Sequence, residues 1–279
     1  MKLNWNQADF PLSRMKVDLP NVFPISILIQ GCPAVVLLDT GASCSAVRKT
    51  IAQSAGLHSL HEQVSGGGSG LRKIEAEKYM AESVQIGSLT VQEQTWMVLA
   101  DEAFRFQVEP GKFVEIDGLL GWDVLQHACW QWDETQKQLR VRPSIPEKSE
   151  IHEFVGWDNM PVLRVQTNDQ IMLWGFDSGN TDTSGGSLLY QSLPDTMPMD
   201  LETMMGVDGV TEVPAKRLDS LRLTFGAAEI ILYHIPVLNR VLYPVTKQEV
   251  AGLCGADLLA RRSWRLDYPN RRLILGEYM

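Results

Sequence analysis

Apolar residues in this chain come in short runs broken by Gly, Pro, Asn and Asp, not in long helical stripes. Runs at 22–30, 34–38, 83–86, 89–99, 161–166, 171–176, 218–225 and 229–238 are rich in Val, Ile, Leu and Phe. Their length and their turn-forming borders predict β-strands. A helical period surfaces only over 46–55, 123–128 and 257–262. The pattern predicts an all-β protein with one or two short helices in each half. Strands do not alternate with helices, which argues against a Rossmann or P-loop architecture.

The pattern also repeats. Residues 118–141, GLLGWDVLQHACWQWDETQKQLRV, align without a gap to residues 252–275, GLCGADLLARRSWRLDYPNRRLIL. The pairs Gly118/Gly252, Leu119/Leu253, Gly121/Gly255, Asp123/Asp257, Leu125/Leu259, Trp130/Trp264, Asp133/Asp267 and Leu139/Leu273 are identical. Chance would give about one or two such identities, so the span reads as a duplication. A second match lies upstream: AVVLLDTGAS at 34–43 and IMLWGFDSGNT at 171–181, each an apolar strand running into Asp, then Thr or Ser, then Gly. Asp39 precedes Gly118 by 79 positions and Asp177 precedes Gly252 by 75, so order and spacing agree between halves. The break is expected in 142–150, RPSIPEKSE, where two prolines and four charged residues give the composition of an exposed linker. That divides the chain into lobes at 1–141 and 151–279.

Composition narrows the field. A net charge of −9 argues against nucleic acid as the partner, because phosphate binding needs clustered Lys and Arg. No stretch approaches the roughly 20 apolar residues of a membrane span, and the amino terminus lacks the apolar core of a signal peptide. The expectation is a soluble, cytoplasmic protein. The four cysteines (Cys32, Cys44, Cys129, Cys254) form no CxxC pair and are expected as free thiols. The five histidines show no metal-ligand spacing, so neither a metal nor another cofactor is expected.

A lone Asp-Thr-Gly is an ordinary turn. Two copies, each closing an apolar strand in matching halves, point instead to a pair of carboxylates brought together across a pseudo-twofold axis. Such a pair shares one proton, since like charges in contact resist joint ionisation. It can then activate a water and polarise a carbonyl. The D-T/S-G triplets, each with a downstream apolar-apolar-Gly segment, resemble the aspartic peptidases, and DTGAS with DGLLG is closest to the retropepsin-like group in its fused two-lobe form. The resemblance implies an acid-protease-like fold of two homologous β-barrel-like lobes flanking a cleft. It implies a monomer with a complete site and endopeptidase activity on a peptide or protein substrate. Asp39 and Asp177 would be the catalytic pair, with Thr40, Gly41, Ser43, Ser178, Gly179 and Thr181 supporting the loops. Thr40 and Ser178 would knit the loops together, and Ser43 and Thr181 would bond outer carboxylate oxygens. Glycine after Asp-Thr/Ser would let each loop turn tightly.

The glycine cluster Gly66, Gly67, Gly68, Ser69, Gly70 is either a flexible turn or a hairpin tip over the cleft, needing positive φ and close backbone approach. Met205–Gly209 is its counterpart. The tip carries no tyrosine, which favours the retropepsin-like branch over the pepsin-like one. Asp123 and Asp257 are expected to cap the short helices, Asp133 and Asp267 to sit at strand ends, and Trp130 and Trp264 to lie in the core. Apolar side chains are expected on both sides of the cleaved bond. The second half departs from the first with Asn180 for Ala42 and Cys254 for Leu120. A peptide-binding protein that keeps the fold without turnover is the alternative.

Overall fold

The computed structural model describes residues 1–68, 72–143, 152–156, 159–225, 228–242 and 249–279. Two β-barrels and a sheet between them account for most of it. In the first barrel the strand order is Lys73–Ile86, Leu89–Leu99, Ala46–Arg48, Gly118–Leu120, Cys32–Leu38, Pro24–Ile29, and the ring closes back on Lys73–Ile86. The second repeats this order with Gly209–Phe225, Ala228–Leu238, Ser184–Gly185, Gly252–Cys254, Gln170–Phe176 and Val162–Thr167. Alternation along the strands builds each interior. Ile25, Ile27 and Ile29 point inward while Ser26 and Leu28 face out; Leu163, Val165 and Thr167 point inward while Arg164 and Gln166 face out. Thr167 is the one polar member of this set, and its hydroxyl is satisfied by the indole N–H of buried Trp174 at 2.8 Å.

After each GLxG segment the chain leaves its barrel. The strands His152–Gly156, Arg272–Tyr278, Arg262–Asp267, Cys129–Asp133, Gln138–Arg142 and Phe10–Leu12 line up in that order as an antiparallel sheet. Its middle joint crosses between halves, with Trp130 opposite Leu266 and Trp132 opposite Trp264. Trp130 and Trp264 are buried, as expected of core residues. Phe23 meets Trp132 and Trp264 edge-on, at centroid distances of 5.3 and 4.8 Å, and seals this sheet to the first barrel.

Local structure differs from the sequence pattern in three places. The expected helix over 46–55 begins as strand Ala46–Arg48 and becomes helical only at Lys49–Ser54. Barrel closure decides this, since Ala46 and Val47 pair with both Gly118–Leu120 and Leu89–Leu99. The helix after the second GLxG is a single 3₁₀ turn, Ala256–Leu259, and Arg262 already opens the next strand. Its first-half equivalent is the α-turn Trp122–Leu125. Helix Ser187–Gln191, the counterpart of Lys49–Ser54, has no clear signal in the sequence pattern. Of the expected linker, Arg142 ends a strand, while 144–150 lie outside the described residues. Among the described residues no helix is long and apolar enough to cross a membrane.

Candidate active site

Asp39 and Asp177 stand at the ends of two equivalent strands, Cys32–Leu38 and Gln170–Phe176, at the boundary between the barrels. Each strand is fixed from behind by a parallel neighbour, Gly118–Leu120 in the first barrel and Gly252–Cys254 in the second. Those neighbours also accept the aspartate amides: Asp39 N–H donates to Leu120 O at 3.0 Å and Asp177 N–H to Cys254 O at 2.9 Å. The substitution of Cys254 for Leu120 therefore leaves this backbone link intact.

The two carboxyl groups lie side by side, each resting against the glycine of the other's triplet. Asp39 Oδ1 accepts from Gly41 N–H (2.9 Å) and Ala42 N–H (3.0 Å); Asp177 Oδ1 accepts from Gly179 N–H (2.9 Å) and Asn180 N–H (3.3 Å). Burial, and then the like charge of Asp177, push Asp39 well above the usual carboxylate range. Burial raises Asp177 too, restrained by the neighbouring Asp39 carboxyl and by backbone amides. The protonation of each depends on the other, so the two titrate as a unit.

The glycines of the triplets matter for approach rather than for turning. Neither Gly41 nor Gly179 has positive φ. A Cβ on Gly41 would lie 2.4 Å from Asp177 Cγ, and one on Gly179 would lie 2.5 Å from Asp39 Cγ. Each glycine is the floor on which the opposite carboxyl rests.

Thr40 and Ser178 cross-link the loops, in line with the expectation. Thr40 Oγ1 donates to Phe176 O (2.6 Å) and accepts from Ser178 N–H (2.9 Å); Ser178 Oγ donates to Leu38 O (2.7 Å) and accepts from Thr40 N–H (3.1 Å). All four bonds are buried, so the loss of either hydroxyl strands backbone groups without water. Ser43 and Thr181 do otherwise than expected. Ser43 is exposed, its hydroxyl directed at Cys44 Sγ, and the Thr181 hydroxyl donates to Asp182 at 2.7 Å. Neither reaches the paired aspartates.

Asp123 and Asp257 are also corrected. Gly121 and Gly255 occupy the cap positions, without side-chain caps. Asp123 instead accepts from Ser45 N–H (2.9 Å), Ser45 Oγ (2.7 Å) and Gln94 Nε2 (2.7 Å). Asp257 accepts from Thr183 N–H (2.8 Å) and Thr183 Oγ1 (2.7 Å). The same hydroxyls accept from Gly121 N–H and Gly255 N–H. Each aspartate therefore ties the end of the triplet loop to the GLxG segment behind it. Burial raises both carboxyls, Asp257 to about 6. Sequence reasoning missed Ser45 and Thr183; their position six residues after each paired Asp was the available signal.

Above the pair, two hairpins meet. In the first, His58–Gly67 runs into Lys73–Ile86; Gly66, Gly67 and Gly68 form its described tip, while Ser69 and Gly70 lie outside the described residues. None of the three has positive φ. The other hairpin, Met199–Gly206 with Gly209–Phe225, turns at Val207 and Asp208, and here Gly209 does take positive φ (106°). Asp208, unforeseen from sequence, is buried between the tips and accepts from Gly68 N–H (3.3 Å) and Arg72 N–H (2.9 Å). A Cβ on Gly68 would lie 2.7 Å from Asp208 Oδ1, so close approach explains that glycine.

Beneath the tips is a cavity of about 160 Å³ bordered by Asp39, Asp177, Gly68, Leu119, Asn180 and Val207. It shares lining residues on one side with a 620 Å³ pocket and on the other with one of 190 Å³. Among the described residues no group of three or more His, Cys, Asp or Glu side chains is arranged to hold a metal ion.

Residues 25–124 match a family model described as aspartyl protease. The match takes in Asp39, the first hairpin and the Leu119–Gly121 segment, and ends before Asp177. It supports an aspartyl protease family, and with it a peptidase. No curated protein matches the chain.

Proposed function

We propose that this chain is a single-chain, retropepsin-like aspartic endopeptidase, built from two duplicated lobes, with Asp39 and Asp177 as its catalytic pair. The observation that carries the reading is a pair of carboxyls, one from each lobe, set against each other at the base of a covered cleft. A pair with one shared proton supplies both groups that peptide hydrolysis needs. The ionised carboxylate takes a proton from water as the oxygen attacks the scissile carbonyl carbon. The protonated carboxyl hydrogen-bonds the carbonyl oxygen as it gains charge, and a proton then passes to the departing amine. Thr40, Gly41, Ser178 and Gly179 hold the geometry; Ser45 with Asp123, and Thr183 with Asp257, brace it.

The substrate would lie extended across the cleft. The glycine-rich tip offers backbone groups to it, and the flanking pockets take its side chains. The test is Asp39→Asn and Asp177→Asn, each assayed on a mixed peptide library. Each should lose roughly 10³-fold or more of the cleavage rate while its thermal unfolding stays cooperative. Unchanged turnover in either variant would overturn the assignment. The alternative, a peptide-binding protein without turnover, requires a wild-type chain that binds library peptides and cuts none.

A further inference from the structure

The two pockets beside the dyad occupy equivalent places yet differ threefold in volume. The larger lies against the first lobe, between the Gly41–Ala46 loop, the hairpin residues Val64 and Ile74, and Met97. Its counterpart lies between Gly179–Ser184, the second hairpin at Glu202–Met205, and Pro236. Met97 stands beside Ala46 and Pro236 stands beside the strand Ser184–Gly185, so the two walls correspond. The second pocket also has lining that the first lacks: Leu19, Val22, Leu37 and Phe106, all reaching across from the first lobe.

Phe106 belongs to a small two-stranded hairpin, Arg105–Glu109 with Lys112–Glu115. It sits between Leu89–Leu99 and Gly118–Leu120; the described residues at the matching place in the second lobe, 239–242 and 249–251, contain no strand. Its inner face, Phe106, Val108 and Val114, packs on a cluster that includes Leu19, Phe104 and Ile116. The base is closed by Ile116 N–H donating to Phe104 O (3.1 Å), and Lys112 is ion-paired to Asp18, next to Leu19. Phe106 lines both the 190 Å³ pocket and the dyad cavity.

We infer that Phe106 sets side-chain selectivity on one side of the scissile bond. Among the described residues the opposite pocket has no counterpart of it in its lining. The first-lobe pocket has no charged lining residue and accepts a large apolar side chain. The second-lobe pocket accepts a small one. This rests on the peptidase reading above, and it narrows the expectation of apolar residues on both sides to a large one paired with a small one.

A peptide library read at both positions next to the cut tests this. Wild type should tolerate bulky apolar residues at one position and reject them at the other. Phe106→Ala should raise cleavage with Leu or Phe at the restricted position by about tenfold relative to Ala, with the other position unchanged. Phe106→Leu, which keeps more of the hairpin packing, should give a smaller shift in the same direction, so a folding defect in the alanine variant does not decide the result. Cleavage by wild type with an unchanged profile in Phe106→Leu, or with equal size tolerance at both positions, overturns the role of Phe106 alone. No cleavage by wild type under any condition overturns the peptidase reading and this inference together.

Discussion

The two lobes agree around the paired aspartates and diverge in the pockets and hairpins beyond them. In the loops around the dyad they are near copies. Leu38 and Phe176 carbonyls, Thr40 and Ser178 hydroxyls, Gly41 and Gly179, Ser45–Asp123 and Thr183–Asp257 take corresponding roles. One turn further out they part. The first lobe has the Arg105–Glu115 hairpin and the open pocket, and the second has the acidic tip at Asp208 and the narrow pocket. Two carboxyls facing each other across a pseudo-twofold axis are held by matching loops, whereas an extended peptide is directional and has no use for equivalent walls. The departures Asn180 and Cys254 do not break the correspondence, since both act here through backbone atoms.

The comparison is broken most severely at the glycines. Gly41→Ala and Gly179→Ala each place a methyl against the opposite carboxyl, so both should cost about 10³-fold in cleavage rate. If one lobe tolerates the change, the dyad is less symmetric than its hydrogen bonds indicate. Next come the cross-linking hydroxyls. Thr40→Val and Ser178→Ala each strip a buried backbone donor and a buried carbonyl of their partners, costing roughly 2–4 kcal/mol in chemical denaturation. Equal losses sharpen the symmetry argument, and a large inequality would weaken it.

The bracing aspartates give a pH-dependent effect of similar size. Asp257 is raised from 3.8 to about 6 in the folded protein. Between those values the folded chain binds more protons than the unfolded chain, so this contribution is full below the lower value and is lost as pH rises through the upper. Asp257→Asn should therefore flatten the fall in stability between about pH 4 and pH 7 by up to roughly 3 kcal/mol, measured by denaturation at each pH. The smallest effect is expected at the tips. Asp208→Ala should raise KM a few-fold with kcat nearly unchanged, because it loosens the cover and leaves the dyad alone.

Much of the site was legible because its signals are local and doubled. Asp39 and Asp177, with Thr40 and Ser178, follow from two triplets on apolar strands. What escaped depended on distant parts of the chain. Residues 46–48 read as the start of a helix, yet ring closure needs them as strand. Ser43 and Thr181 follow the dyad closely, but the chain turns their hydroxyls outward. Asp208 is one acid in a polar turn, and only a hairpin from the other lobe gives it a role. Phe106 lies among charged residues, Arg105 and Glu109 included, whose alternation was too short to stand out.

The sheet shared by the two halves has a mechanical consequence. A continuous hydrogen-bonded strip that passes from one half to the other through Trp130, Trp132, Trp264 and Leu266, with Phe23 wedged against it, acts as a keel. Hinge-like rocking of one barrel on the other would have to shear that ladder. Under the proposed activity a substrate would enter from the roof, by parting two tips that the Asp208 carboxylate and the Arg72 side chain link across the gap.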